Sequence, residues 1–564
     1  MNHTITGAEL IVQLLERQGV DRVAGISGGA ILPLHEAPDG ETRLRQVLAR
    51  HPQAAGFIAQ GMARMTGKAG VCVATAGAGV TNLLTAIADA QMDSVPLVCI
   101  AGQMPLPRFG VPAFQELKAG HLVDSITKAN FLARSVEDLL WMIPEAFRIA
   151  ESGRPGPVLL DIPEPVQSQR IALPLPPAPE LRETGEDLRH PTGSAWATAA
   201  AMINAAQRPL LYLGSGVVKA RAWDAARALA EKAALPTTSS LMALGSLPQG
   251  HALSLGPLGT YGSQASQRVL DECDLLIAVG ARYDGRAGDS PGRLCPQAQI
   301  IDIDLDGGES GTPAGPTLAL QADAARALQL LLPRVRSAAH PGWWARIDRL
   351  RADYPAEPAG ASLADPGGLI AAVARLTAPE AVVSADVGQP QMWVARHYPF
   401  ARPDRWQSSV GLGAMGFGLP AAMGAALARP DLPNVCFTDD DSLLVNVQEL
   451  ATLAELNLPV KIVLLDPAAP GLARRPPGPL NPPRQMAWNH LSPTDFGKLT
   501  EVFGIRTWDL GQARSPQKRL EEALRAPGPA LIRAPVAADR PALPMPVGRR
   551  SNLRVVEPCV DTEA

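Results

Sequence analysis

The chain has 564 residues, room for roughly three or four domains at about 150 residues each, and it can bury large cores without disulfide staples. Charged residues make up 19% and hydrophobic ones 46%, which excludes global disorder. With 51 Lys and Arg against 55 Asp and Glu, the net charge of −4 leaves no field to draw in nucleic acid or an anionic membrane, so neither is an expected partner.

The N-terminal stretch shows no basic region followed by an apolar core, and no apolar run reaches the ~18 residues of a membrane span. The expectation is a cytoplasmic globular protein. Six cysteines stand singly, without zinc spacing, and several sit in apolar runs such as Val71-Cys72-Val73 as small buried hydrophobes.

In chain order, strand-length apolar runs alternate with amphipathic helical stretches. Gly70–Thr75 is followed by a Gly-rich turn, a helix over about 80–89 and the run Pro96–Ala101. Pro157–Ile162, Leu210–Leu213, Leu275–Val279 and Ile300–Asp304 follow, then Ala381–Ser384, Val435–Phe437, Val460–Leu465 and Ala530–Arg533. Buried strands separated by helices predict an α/β protein of doubly wound, Rossmann-like parallel sheets, whose ligands bind beyond the carboxyl ends of the strands.

Pro-rich, charged linkers at 173–193 and 338–368 divide the chain into domains over 1–172, 190–338 and 366–537, with a C-terminal tail over 538–564. The run Pro467 to Pro483 carries seven prolines and reads as a loop within the last domain.

Gly-rich turns follow several of these strands. Gly25–Ala30 and Thr75–Asn82 are each weak signals, because glycine after a strand is commonly only a turn device. Gly214-Ser215-Gly216, Gly280 to Asp284, and Asp302 with Asp304 form the pattern of an adenine-dinucleotide site, with a ligand-free Rossmann-like domain as an even alternative. Gly411 to Pro420 predicts a Gly-rich loop opening a helix, whose free backbone N–H groups can hold phosphate.

Together these segments, in this order from about Gly7 to Pro535, resemble the thiamine-diphosphate enzymes, most closely the catalytic subunits of acetolactate synthases. The resemblance rests on Gly28–Pro33, Met62–Lys68, Phe114-Gln115-Glu116, Arg154–Val158, Leu255–Gly259, Gly280-Ala281-Arg282, Gly388-Gln389, Gly413–Gly418 and Gln448–Ala451. It implies a pyrimidine-binding domain, a middle domain that holds FAD in acetolactate synthases, a diphosphate-binding domain, and a homodimer or homotetramer with its cofactor between subunits. Carried over residue by residue, it implies FAD contacts at Gly214, Ser215, Gly216, Leu241, Met242, Gly259, Gly280, Arg282, Asp284 and Asp302. It also implies thiamine-diphosphate contacts at Gly388, Gln389 and Met415.

The centre of the pattern is altered. The family's glutamate, which protonates the cofactor's aminopyrimidine ring, falls on Pro52, a residue with no proton to give. Glyoxylate carboligases, however, carry an apolar residue there and still use the cofactor. The family's Gly-Asp-Gly-Ser metal motif reads Asp439-Asp440-Asp441-Ser442, and the second metal-binding asparagine falls on Pro467. Asp440 keeps the ligand position as a vestigial metal residue. Four neighbouring carboxylates, Asp439, Asp440, Asp441 and Asp466, read as a solvated acidic turn in preference to a new metal site.

The expectation is therefore loss of thiamine diphosphate and Mg2+ with retention of FAD, in an enzyme acting on a small 2-oxo acid or related acyl substrate. Gln115, His51, Gln53 and Lys128 are its candidate catalytic groups. Two readings stand beside it: an active thiamine-diphosphate carboligase or decarboxylase with non-glutamate activation, and an inactive homologue that regulates a paralogue.

Overall fold

The computed structural model describes residues 4–37, 42–105, 114–115, 117–172, 191–283, 295, 297–306, 317–356, 360, 362–377, 379–467 and 494–536. Most of the first linker, the Pro-rich run beyond Pro467, the tail and Asp284 lie outside the described residues.

Three six-stranded parallel sheets carry the chain. The first holds β1 (Arg22–Gly25), β2 (Arg45–Leu48), β3 (Gly70–Ala74), β4 (Leu97–Gln103), β5 (Ala129–Leu132) and β6 (Pro157–Pro163), in the order β2-β1-β3-β4-β6-β5. The second holds β7 (Pro209–Leu213), β8 (Thr237–Ser239), β9 (Ser254–Pro257), β10 (Leu275–Val279), β11 (Gln299–Asp304) and β12 (Leu318–Gln321), in the order β9-β8-β7-β10-β11-β12. The third holds β13 (Val382–Ala385), β14 (Trp406–Gln407), β15 (Asn434–Thr438), β16 (Val460–Pro467), β17 (Arg506–Asp509) and β18 (Ala530–Val536), ordered β14-β13-β15-β16-β18-β17. The outer two sheets thus share one strand order, while the middle sheet has the dinucleotide-fold order with its switch point between β7 and β10. Strands such as Leu275–Val279 are buried at every position, as sheets covered on both faces require.

The outer domains meet along two helices, α1 (Pro52–Thr66) and α4 (Gly418–Ala428). Pro52 opens α1 at a position where its missing N–H costs nothing, the His51 ring accepts from Gln53 N at 3.2 Å, and Gly67 ends the helix at φ 74°. The helices cross closely because two glycines lack side chains. A Cβ on Gly61 would lie 2.3 Å from the Ala421 carbonyl oxygen, and one on Gly424 would lie 2.0 Å from that of Ile58. Phe57 and Phe417 meet edge-on beside this crossing, 5.2 Å between centroids.

The second expected linker is corrected. Residues Pro341–Asp353 form a helix that buries Trp343, Ile347 and Leu350 against the middle sheet. Trp343 Nε1 donates to the Pro209 carbonyl at 3.0 Å. Two tryptophans in an otherwise charged stretch outweigh its linker-like composition, because their burial removes large apolar areas from water. No helix among the described residues is long and apolar enough to cross a membrane.

Candidate active site

The C-terminal domain gathers its polar residues at the carboxyl ends of β13 and β15. Asp386, fully enclosed, accepts from Gly418 N at 2.8 Å and from Thr438 Oγ1 at 2.7 Å. Burial pushes its carboxyl up to about 7. The aspartate thereby pins the N-terminus of α4 to β15. Between them runs the Gly-rich loop, in which Gly413 (φ 72°) and Gly416 (φ 75°) take the left-handed conformation. Asn446 Nδ2 donates to the Gly416 carbonyl at 2.7 Å and fixes the loop from the other side. Met415 stands 37% exposed at its tip. Gly388, at φ 107°, opens the helix α3 (Gln389–His397) beside it.

Three of the four neighbouring carboxylates have different surroundings. Asp439 turns inward and caps the short helix α5 (Asp440–Val445), accepting from Ser442 N at 2.9 Å. Asp466 is held by Arg533, whose Nη2 lies 2.6 Å away, and Arg533 also reaches Asp509 at 2.9 Å. Asp440 differs from both: its Oδ1 is buried with no hydrogen-bond partner among the described residues. Burial, then the charges of Asp441 and Asp466, raise its pKa. Among the described residues no group of three or more His, Cys, Asp or Glu could hold a metal by themselves.

Of the candidate catalytic residues in the N-terminal domain, three lie at the carboxyl end of its sheet. His51 and Gln53 follow β2 at the start of α1, and burial holds the His51 ring below its ordinary pKa. Gln115 takes φ 62° and lies against Gly77, where a Cβ would approach its Cα to 3.2 Å, at the start of α2 (Ala78–Met92). Phe114 beside it is 83% exposed.

Lys128 is corrected: it precedes β5 and so sits at the amino end of the sheet. Its ammonium caps the end of the helix Val136–Glu151, donating to the Ile149 carbonyl and to that of Ser152 at 2.6 Å. Burial and then the Arg148 charge lower its pKa to about 8.

One carboxylate lies in a segment that carried the resemblance, Gln448–Ala451, without being singled out as a site residue. Glu449, at the start of α6 (Glu449–Glu455), is buried under the loop before α1 and accepts from Arg50 N at 2.9 Å. Its place under that loop follows from a contact 399 residues apart in sequence, which no spacing rule reaches.

In the middle domain, Gly214 and Gly216 cross Gly280 at the β7–β10 switch point. Gly216 N donates to the Gly280 carbonyl at 2.9 Å, and a Cβ on Gly214 would lie 2.0 Å from that oxygen. Backbone packing accounts for both glycines without a ligand. Ser215 opens a short helix, Gly259 turns at φ 75°, Leu241 is buried and Met242 packs beside it. Arg282 donates to the Met92 carbonyl of the N-terminal domain. Asp302, at the carboxyl end of β11, is raised to about 7 by burial and then by Asp304.

Comparison with known proteins gives this architecture a family. Residues 5–122 match the N-terminal TPP binding domain of thiamine pyrophosphate enzymes, 196–331 their central domain, and 386–534 their C-terminal TPP binding domain. The chain belongs to the thiamine pyrophosphate enzymes, pyrophosphate and diphosphate being two names for one cofactor group. It is 46% identical over 554 residues to the acetolactate synthase isozyme 1 large subunit of Escherichia coli K12, spanning 98% of this chain and 97% of that protein. To the acetolactate synthase large subunit of Parasynechococcus marenigrum WH8102 it is 40% identical over 563 residues, 98% of this chain and 91% of that protein. To the isozyme 2 large subunit of Escherichia coli K12 it is 37% identical over 561 residues, 98% of this chain and all of that protein. It is an acetolactate synthase-like enzyme.

These matches overturn the expected cofactors. Both outer domains match TPP-binding domains, so the family's cofactor is thiamine diphosphate with Mg2+, and the central-domain match names no flavin. The physical error lay in counting lost ligands. Mg2+ takes one or two carboxylates and completes its shell with phosphate and water. One missing asparagine therefore does not abolish the site, and the unpartnered buried oxygen of Asp440 fits that need. Asp439, one of the two aspartates that stand where the family has glycine, is taken up in capping its own helix.

Proposed function

We propose that the chain is an active thiamine diphosphate-dependent enzyme, that it acts on a 2-oxo acid such as pyruvate, and that it activates its cofactor without a glutamate at position 52. The observation that carries this reading is the C-terminal cradle. Asp386 locks the start of α4 to β15, the Gly-rich loop presents Met415, and Asp440 keeps a buried oxygen free for a cation. Asp440 would hold Mg2+, with Gly388, Gln389 and Met415 around the rest of the group. Bound there, thiamine diphosphate supplies a nucleophilic carbon and an electron sink for chemistry beside a ketone.

His51, Gln53 and Gln115 are the polar groups proposed for the reacting end. His51 is a neutral donor there: Nδ1 accepts from Gln53 N, so Nε2 carries the proton, and burial disfavours the charged ring. Pro52 has neither proton nor N–H to contribute. The proposed assembly is a homodimer or homotetramer whose sites form between copies.

The test is turnover of pyruvate by the full chain with thiamine diphosphate and Mg2+, followed by carbon dioxide release and acetolactate formation. Turnover that vanishes on removal of cofactor or metal is expected. Pro52→Glu, which adds a positioned acid, should raise the rate about 10²-fold. Cofactor bound without turnover, in both wild type and Pro52→Glu, would overturn the reading in favour of an inactive homologue.

A further inference from the structure

Two buried carboxylates bridge the outer domains in opposite directions. Asp93 closes α2 in the N-terminal domain and reaches the loop of the C-terminal one. Its Oδ1 accepts from Gly411 N at 2.7 Å and its Oδ2 from Val410 N at 3.1 Å. Gly411 permits this approach, since a Cβ there would lie 2.9 Å from Asp93 Oδ1. Ser409 extends the grip: its hydroxyl donates to Asp89 of α2 and accepts from Ala414 N at 2.7 Å. Arg64 of α1 balances the charge, 3.0 Å from Asp93 and 3.9 Å from Asp89. In the other direction, Glu449 Oε1 accepts from Arg50 N at 2.9 Å, and Thr452 Oγ1 donates to the Leu48 carbonyl at 2.6 Å.

We infer that Asp93 and Glu449 are reciprocal positioning residues, Asp93 holding two consecutive backbone amides and Glu449 one amide of the opposite domain's cofactor loop. Asp93 fixes the start of the Gly411–Phe417 loop and Glu449 fixes the turn that leads into His51 and Pro52. The outer domains share one strand order, and each lends a carboxylate to the loop beyond a strand end of the other. Packing alone does not explain the pair. Burying ionisable groups is costly, and apolar side chains of similar volume serve stability as well or better. A carboxylate that captures a backbone amide across a domain boundary instead sets backbone position. The assignment of these loops to thiamine diphosphate rests on the function proposed above; the clamps themselves do not.

Hydrogen–deuterium exchange on the full chain without added cofactor tests the clamps directly. In Asp93→Asn one of the two acceptor atoms becomes a donor, so exchange over 409–414 should rise about tenfold or more. Glu449→Leu should do the same over 49–53, while Glu449→Gln, which keeps an acceptor, stays near wild type. If Asp93→Asn does not fold, Ser409→Ala, which removes the tie between Ala414 N and Asp89, reads out the same loop. Unchanged exchange in the opposite domain's loop, or a uniform rise over the whole chain, would overturn the inference. A second readout separates it from the function. Loosening the Gly411–Phe417 loop in Asp93→Asn should raise the half-saturating thiamine diphosphate concentration about tenfold while leaving kcat at saturation nearly intact. If the wild-type chain binds no thiamine diphosphate, the proposed function fails and the exchange result still decides the clamps.

Discussion

Asp386 shows how one residue links fold and site. It lies beyond β13, anchors the first turn of α4 through Gly418 N, and reaches β15 through Thr438 Oγ1. Burial raises its pKa from 3.8 to about 7, with Asp439 adding to the shift. A carboxyl raised in the folded state stays protonated while its unfolded counterpart ionises. Its contribution is therefore full below the ordinary value of 3.8 and is lost as pH rises towards about 7, by up to about 1.4 kcal/mol per pH unit. Asp386→Asn keeps an acceptor for Gly418 N, and the Thr438 hydroxyl can rotate to receive the amide. Denaturant unfolding between about pH 5 and about pH 8 should show one proton less of pH dependence in the variant than in wild type. Identical slopes would place the Asp386 titration at its ordinary value. The pair Gly388-Gln389 was visible in the sequence, but the partners of the carboxylate just before it lie 32 and 52 residues from Asp386 and were not.

At the scale of elements, the crossing of α1 and α4 decides how the outer domains sit together. Two backbones touch where Gly61 and Gly424 leave no side chain. Alanine at Gly424 would gain helix propensity of about 1 kcal/mol, yet its Cβ would meet the Ile58 carbonyl at 2.0 Å. Overpacking of this kind costs about 1–3 kcal/mol or more, so Gly424→Ala should lower the unfolding free energy of the full chain. Gly193→Ala is the control: nothing lies within 4 Å of its Cβ, and stability should hold or rise slightly. Equal effects of the two substitutions would mean that the crossing relaxes freely.

The strands and their glycine turns were legible because apolar runs and breakers are local signals. Helix Pro341–Asp353 was not, since its charged face hid the two tryptophans that dock it. Lys128 was a candidate catalytic group by residue type, but residue type does not say at which end of a sheet a side chain falls. The loss of thiamine diphosphate was inferred from side chains counted singly at positions 52, 441 and 467. The inward turn of Asp439 and the free oxygen of Asp440 belong to the folded backbone.

At the scale of the whole molecule, the parts of the site lie on two sheets of one topology joined back to back by α1 and α4. Among the described residues the cradle of the C-terminal domain carries exposed apolar side chains. There Leu412, Met415, Leu444 and Val445 are all exposed, as are Leu32 and Leu48 in the N-terminal domain. Apolar residues grouped around a polar cradle mark an interaction surface more than a solvated one. A second copy of the chain, offering the carboxyl end of its own N-terminal sheet, would cover the cradle and bring His51, Gln53 and Gln115 to it. Sedimentation of the full chain should then show a dimer or larger. Burying a leucine side chain is worth about 1.5–3 kcal/mol, so Leu412→Ser with Leu444→Ser should weaken self-association more than about tenfold. Bound thiamine diphosphate per chain should fall in step with the dimer on dilution, because half of each site leaves with the partner. A monomeric wild-type chain that turns over pyruvate with its cofactor would show instead that one copy holds a complete site.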